Sequence, residues 1–182
     1  RVVFESYTAL ARTANVSTHL PTVAEKFARD RLVALAQSRG LIAKPVPEIL
    51  YVCVQNSGRS QIAAAITRHL GGDRVHVRSA GSQPAVGLLP GVVTVLEEAG
   101  IDVSEEFPKP LTDDVVRAAD AVVTMGCGDA CPLYPGKRYL DWQLDDPAEL
   151  DLDGVRAVRD EIHQHVEQLL AELIPGLPAT RS

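Results

Sequence analysis

The stretch YVCVQNSGRSQ, residues 51–61, ends an apolar run on a cysteine, passes through five small or polar residues, and opens a helical pattern with Arg59 and Ser60. A strand over Ile49 to Val54 followed at once by a helix over Ser60 to Leu70 is half of a strand–helix–strand unit, and the rest of the chain repeats that alternation. Gly71 and Gly72 close the helix. A strand follows over Val75 to Arg78, then a helix over Gly91 to Ala99 that Gly100 stops, and a helix over Thr112 to Ala119. Ala121 to Met125 reads as a buried strand and Lys137 to Leu140 as a short one. A long last helix carries Val155, Val158, Ile162, Val166, Leu169 and Leu173 on one stripe. Alternating strands and helices of these lengths imply an α/β fold, a doubly wound, four-stranded parallel sheet with helices on both faces.

Upstream of residue 44 the pattern is wholly helical. One helix is expected over residues 1–13 and a second from Leu20 to Arg39, with Leu20, Val23, Phe27, Arg31 and Leu35 on one face, Pro21 in its first turn and Gly40 at its end. The prolines of KPVPE, residues 44–48, forbid a helix, so this segment reads as a linker. The organisation is therefore a small α-helical extension over 1–43, a linker over 44–48, and the α/β body over 49–175.

Composition narrows the function. A net charge of −6 and no Lys/Arg run argue against nucleic acid as a partner, so an anionic substrate needs a local positive site. No apolar stretch approaches the roughly 18 residues of a membrane span, and RVVFESYTALARTA does not read as a signal peptide, which predicts a cytoplasmic protein with no membrane partner. Three cysteines are too few for a secreted disulfide scaffold.

In a parallel sheet, ligands bind beyond the carboxyl ends of the strands, where Cys53 to Ser60 would lie. Gly58 and the small residues Asn56 and Ser57 let backbone N–H groups turn inward as an anion nest, and the helix beginning near Ser60 adds its positive end. Arg59 adds a planar fork of donors matched to an oxyanion. The same features favour the thiolate of Cys53 over the thiol, so one loop would make a nucleophile and bind its anionic electrophile. A cysteine at a strand end with a surface arginine is the plainer reading of C-x5-R alone. The strand before it and the helix after it are what make it chemical.

From Ile49 to about Leu173 the chain resembles the low-molecular-weight tyrosine phosphatase fold, and within it the thiol-dependent arsenate reductases. VCVQNSGRSQ (52–61), VRSAG (77–81), AGIDVS (99–104), DAVVTMGCGDACP (120–132), DWQLDDPAE (141–149) and VRAVRDEI (155–162) carry the resemblance in order. The helices ahead of them resemble those of actinobacterial-type arsenate reductases. The resemblance implies Cys53 as nucleophile, Arg59 as oxyanion clamp, Ser60 as hydroxyl donor to the thiolate and Asn56 as brace of the loop. Oxyanion contacts are expected from Asn56, Ser57, Gly58, Arg59 and Ser60. It also implies Asp146, the carboxylate directly before Pro147, as proton donor to the departing oxygen, with Asp145 the neighbour most easily confused with it. Cys127 and Cys131 would be resolving thiols, closer together than in better-known members and with Gly126 intervening. Their other readings are packing, or half of a metal site that lacks two further ligands. No metal ligand set is expected, and His19, His69, His76, His163 and His165 are scattered. Some members hold a potassium ion through the loop Asn, the Ser of SAG and an acid. Asn56 and Ser79 match, but Lys109 stands near the acidic position, a cationic side chain in the ion's place.

The function so implied is reduction of arsenate to arsenite through a cysteine–arsenic intermediate and a thiol/disulfide relay, with phosphate and sulfate as competing oxyanions. No bound cofactor is implied. The reductant is external, either thioredoxin or a low-molecular-weight thiol of the mycothiol kind with its mycoredoxin. The alternative is a phosphotyrosine or phosphomonoester phosphatase, which shares the chemistry of Cys53. It is disfavoured because Asp146-Pro147 leads into Ala148-Glu149 rather than into aromatic residues that would wall a phenyl ring. A third reading is an oxyanion sensor that binds without turnover.

Overall fold

In a computed structural model, residues 1–12, 19–126 and 131–176 are described. Two helices lead: α1 (Val2–Ala11) and α2 (Leu20–Ser38). The body follows as β1 (Glu48–Cys53), α3 (Arg59–Gly71), β2 (His76–Gly81), α4 (Pro90–Glu98), α5 (Asp113–Ala118), β3 (Ala121–Met125), β4 (Arg138–Asp141) and α6 (Leu152–Leu173). Among the described residues the sheet has four strands in the order β2-β1-β3-β4, every neighbouring pair parallel. The α/β fold with a four-stranded parallel sheet and a helical segment ahead of it is the one read from the sequence.

β1 is buried along its whole length because both faces are covered. Its alternation sends Ile49, Tyr51 and Cys53 into the core formed with α3, α4 and α6. Leu50 and Val52 go into a second cluster, with α5 and Ala34 of α2. α6 buries Val155, Val158, Ile162, Val166 and Leu169 as its spacing predicts, and Leu170 in addition.

Several boundaries move, and β2 moves most. The sequence suggests Val75 to Arg78, whereas β2 runs on through Ser79, Ala80 and Gly81, pairing with β1 as far as Cys53↔Gly81. This far end is held from both sides, since Gly81 also donates to the Lys109 carbonyl and accepts from Leu111 N–H. Glycine is needed there: a Cβ on Gly81 would sit 2.7 Å from the Val54 carbonyl and 2.9 Å from Asn56 N. β1 begins at Glu48, whose carboxylate is buried against Arg78, and stops at Cys53, so that Val54 already belongs to the loop. α1 stops at Ala11, and residue 13, where the pattern suggested its end, lies outside the described residues.

The extension packs on the body through charged groups as well as apolar ones. Arg31, buried, donates to Asp114 of α5 at 3.1 Å and to Ser6 of α1 at 3.2 Å. Arg78 of β2 reaches Asp30 at 3.0 Å and Gln37 at 3.3 Å on α2. Phe107 of the body packs against the cluster of Leu10, Leu20, Ala24 and Phe27. Arg31 thus lies on the buried face as the helical pattern predicts, joined by Ala24, Ala28 and Ala34.

Candidate active site

The loop between β1 and α3 lies at the carboxyl edge of the sheet, and its geometry begins with Asn56. Its φ is +49°, in the left-handed region that asparagine tolerates better than most side chains. This turns its backbone N–H back onto Cys53, at 3.2 Å from Sγ. The Ser60 hydroxyl lies 2.9 Å from the same sulfur. Asn56 Nδ2 donates to Ser60 Oγ at 2.8 Å, which leaves the hydroxyl proton available for the sulfur. Two donors are thus aimed at the sulfur of Cys53, which is only 3% exposed.

Arg59, the first residue of α3, spreads across the carboxyl ends of the other elements. Its Nη1 donates to the Leu144 carbonyl at 3.1 Å and its Nη2 to Asp146 Oδ2 at 3.1 Å. Gly126, just past β3, gives it room: a Cβ there would lie 3.1 Å from Arg59 Nη1. Asp146 caps a short 3-10 turn over Pro147–Glu149, its other oxygen accepting from Ala148 N–H at 3.0 Å. Pro147 packs back on Gly58, where an added Cβ would touch the ring at 3.4 Å.

The structure therefore brings together Cys53, Asn56, Ser60, Arg59 and Asp146, with Ser57 buried and Gly58 completing the loop. It does not bring Cys131 to Cys53. Cys131 packs in the cluster with Leu50, Val52 and Val122, on the opposite face of the sheet from the cluster that holds Cys53. Cys127 lies outside the described residues. Trp142 packs rather than lining the loop: it stacks on His165 at 4.9 Å and tilts against Tyr51 at 5.7 Å.

The loop has a further support that the sequence reading passed over. Gln61 is buried, and its Nε2 donates to the Asn56 carbonyl at 3.1 Å, to Asn56 Oδ1 at 3.2 Å and to the Phe107 carbonyl at 3.1 Å. Lys109 N–H donates to Asn56 Oδ1 at 2.8 Å. The Lys109 ammonium turns instead to Glu106, at 3.0 Å, and to the Phe107 carbonyl. Burial holds that ammonium below the usual lysine range, with Glu106 opposing the shift. Burial also works against the charge of Glu106, but Lys109 and Arg68 together outweigh it and hold the carboxyl below its ordinary range. The described residues contain no group of three or more His, Cys, Asp or Glu arranged to hold a metal.

Residues 48–176 match the family model of low molecular weight phosphotyrosine protein phosphatases, and residues 1–36 match that of the protein-tyrosine-phosphatase-like N-terminal domain. Among solved structures, the thioredoxin-dependent arsenate reductase of Corynebacterium glutamicum is 51% identical. It superposes with a TM-score of 0.85 over 95% of this chain and 84% of that one. A putative arsenate reductase of Halobacterium salinarum is 37% identical over 130 residues, covering 69% of this chain and 92% of the relative. The glutaredoxin arsenate reductase of Synechocystis is 32% identical over 129 residues, covering 98% of its own length.

Proposed function

We infer the reaction from a premise of kinship: the chain belongs to the low molecular weight phosphotyrosine protein phosphatase family, and it is an arsenate reductase within that family, reducing arsenate to arsenite. The observation that carries this is the 51% identical thioredoxin-dependent reductase, whose likeness runs through the helical extension as well as the body. The geometry of the loop supplies the chemistry. Arsenate, a tetrahedral oxyanion, would sit on the inward backbone N–H groups of residues 56–60 and the Arg59 fork. Cys53 Sγ attacks arsenic and forms a sulfur–arsenic bond. One oxygen leaves as water, taking a proton from Asp146, which Arg59 holds 3.1 Å from its own Nη2.

A second thiol then attacks Cys53 Sγ. The sulfur–sulfur bond forms as the sulfur–arsenic bond breaks, its electron pair goes to arsenic, and arsenite departs with arsenic reduced from the pentavalent to the trivalent state. Cys127 and Cys131 are assigned to this step. Because Cys131 packs on the far face of the sheet from Cys53, the segment carrying it has to shift before a disulfide can form, whose Cα atoms stand roughly 4.4–6.8 Å apart. An external thiol reductant closes the cycle. Thioredoxin is assigned that part by the relative's dependence on it, with a low-molecular-weight thiol and its redoxin as the competing source. The phosphatase alternative lacks an aromatic wall here, since Ala148 and Glu149 follow Pro147. No described helix is long and apolar enough to cross a membrane, and reactive thiols suit the reducing cytoplasm.

The experiment is a paired assay. Arsenite formation with thioredoxin, its reductase and NADPH should exceed phosphate release from an aryl phosphate by orders of magnitude, and the reverse result would make this a phosphatase. Mass mapping after one addition of arsenate should find a Cys53–Cys127 disulfide trapped in Cys131→Ser. If both Cys127→Ser and Cys131→Ser turn over normally with a small thiol and its redoxin, no internal relay operates.

A further inference from the structure

The loop's brace does not end within the body. Asn56 and Gln61 both lean on the segment 105–109, Asn56 through Lys109 N–H and Gln61 through the Phe107 carbonyl. That segment is in turn gripped by the extension. The Phe107 side chain packs against the apolar cluster that α1 and α2 form around Phe27. Lys26 of α2 donates from Nζ to the Glu105 carbonyl at 3.0 Å, and the same ammonium stands 5.9 Å from the Phe107 ring centroid. A continuous series of contacts therefore runs from α2 to the segment 105–109, to Asn56 and Gln61, to Ser60, and to Cys53 Sγ.

We propose that the N-terminal extension is a positioning element for the oxyanion loop, with Phe107 the residue through which α2 sets the Phe107 carbonyl and the Lys109 N–H against Gln61 and Asn56. The physical reason lies in the conformation of Asn56. A non-glycine residue at φ +49° stays there only while its surroundings over-determine it, and of the bonds that do so three come from the segment 105–109 or from Gln61, which that segment holds. A segment free to drift by half an ångström would let Asn56 relax, and its inward N–H and its hold on Ser60 would go with it. Binding of a tetrahedral anion depends on those donors being aimed before it arrives. The segment is tied to the body by the Gly81 N–H on the Lys109 carbonyl and by Arg68 on Glu106, whereas on the side facing α2 its hold is Phe107 and the Lys26 contact. A cavity of about 340 Å³ lies between α2 and the body, with Phe27, Arg68, Ser79, Phe107 and Lys109 in its lining, so packing does not immobilise the segment continuously. Phe107 and the Lys26–Glu105 tie are where α2 reaches it.

This inference concerns the loop whatever reaction it serves, so its test reads anion binding rather than arsenate turnover and can fail independently of the reductase reading. Inorganic phosphate is titrated as a protectant of Cys53 against iodoacetamide, with the Cys53 peptide quantified by mass spectrometry, on the full chain. Phe107→Ala should raise the half-protecting phosphate concentration about fivefold, the size expected when a buried hydrogen bond or two lose their alignment. Phe107→Leu, which keeps an apolar grip, should return it to the parent's value. Lys26→Ala, an exposed change away from the loop, should raise it about twofold. A structural role alone lowers the melting temperature without moving phosphate protection in the folded protein. If folded Phe107→Ala protects like the parent, the proposal is overturned. Should Phe107→Ala fail to fold, Lys26→Ala decides, and unchanged protection in it overturns the proposal equally.

Discussion

The loop that carries Cys53 and the turn that carries Asp146 meet at Arg59, yet they are held in opposite ways. Cys53 is 3% exposed, and Asn56, Ser60 and Gln61 around it are all buried and bonded to one another. The Asp146 side chain is 46% exposed and rests on two bonds, one from Arg59 and one from Ala148 N–H. The difference fits the roles proposed for the two halves. A nucleophile and its anion nest work by being aimed in advance, which demands a stiff, buried network. A proton donor has to exchange its proton with solvent between turnovers, which demands access to water. On this comparison, substitutions in the loop should damage binding and chemistry together, whereas substitutions in the turn should damage chemistry alone.

The largest effect should come from Cys53→Ser. A hydroxyl is a far weaker nucleophile than a thiolate, and arsenite production should fall by roughly a thousandfold or more, as removal of a nucleophile generally does. Substantial turnover by this variant would take the chemistry away from the loop altogether. Arg59→Lys should follow. The ammonium can replace the charge but not the fork that spans Leu144, Asp146 and the anion, and loss of a charge-assisted hydrogen bond corresponds to about 10- to 100-fold in phosphate or arsenate affinity. Near-normal affinity in that variant would mean that the guanidinium serves only to hold the turn.

Asp146→Asn sharpens the comparison most directly. The amide oxygen can still accept from Arg59 or Ala148 but the group has no acidic proton to transfer, so turnover should fall about a hundredfold while phosphate protection of Cys53 stays within about twofold of the parent. A parallel loss of anion binding would place the turn and the loop in one network and erase the distinction between them.

How much of this was legible in the sequence follows the same division. The loop is local: eight residues from Cys53 to Ser60 carry the bonds of Asn56 and Ser60 to the sulfur, so a contiguous motif announces them. The strand–helix alternation was legible for a similar reason, because burial on two faces writes itself into every strand. Gln61 stands in the quoted stretch but gave no signal, since one of its partners, the Phe107 carbonyl, is 46 residues away and is a backbone atom that no side-chain pattern marks. The far end of β2 was missed because Ser79-Ala80-Gly81 has little β propensity. It is strand because neighbours on both sides supply the pairing. The separation of Cys131 from Cys53 was equally invisible, since the face a loop residue packs on is a tertiary fact.

Asp146 itself was legible only through resemblance, because Asp145 and Asp146 are chemically identical in a string of letters. Geometry separates them. Asp146 pairs with Arg59 and caps the turn through Ala148, whereas Asp145 is exposed and makes no hydrogen bond or ion pair among the described residues. Asp145→Asn removes one solvated charge from the rim of the site, and an exposed charge at that distance acts through water and salt. Turnover and phosphate protection should therefore both stay within about twofold of the parent, a slight gain in anion affinity at low ionic strength being the one systematic trend, since a negative charge near an anion site has been neutralised. Parallel kinetics of the two asparagine variants, at low and at 0.15 M salt, decide the matter. If Asp145→Asn slows turnover more than Asp146→Asn, then the turn must rotate when the anion arrives, delivering the first carboxylate and not the second, and the contact between Arg59 and Asp146 is a resting arrangement that opens before proton transfer.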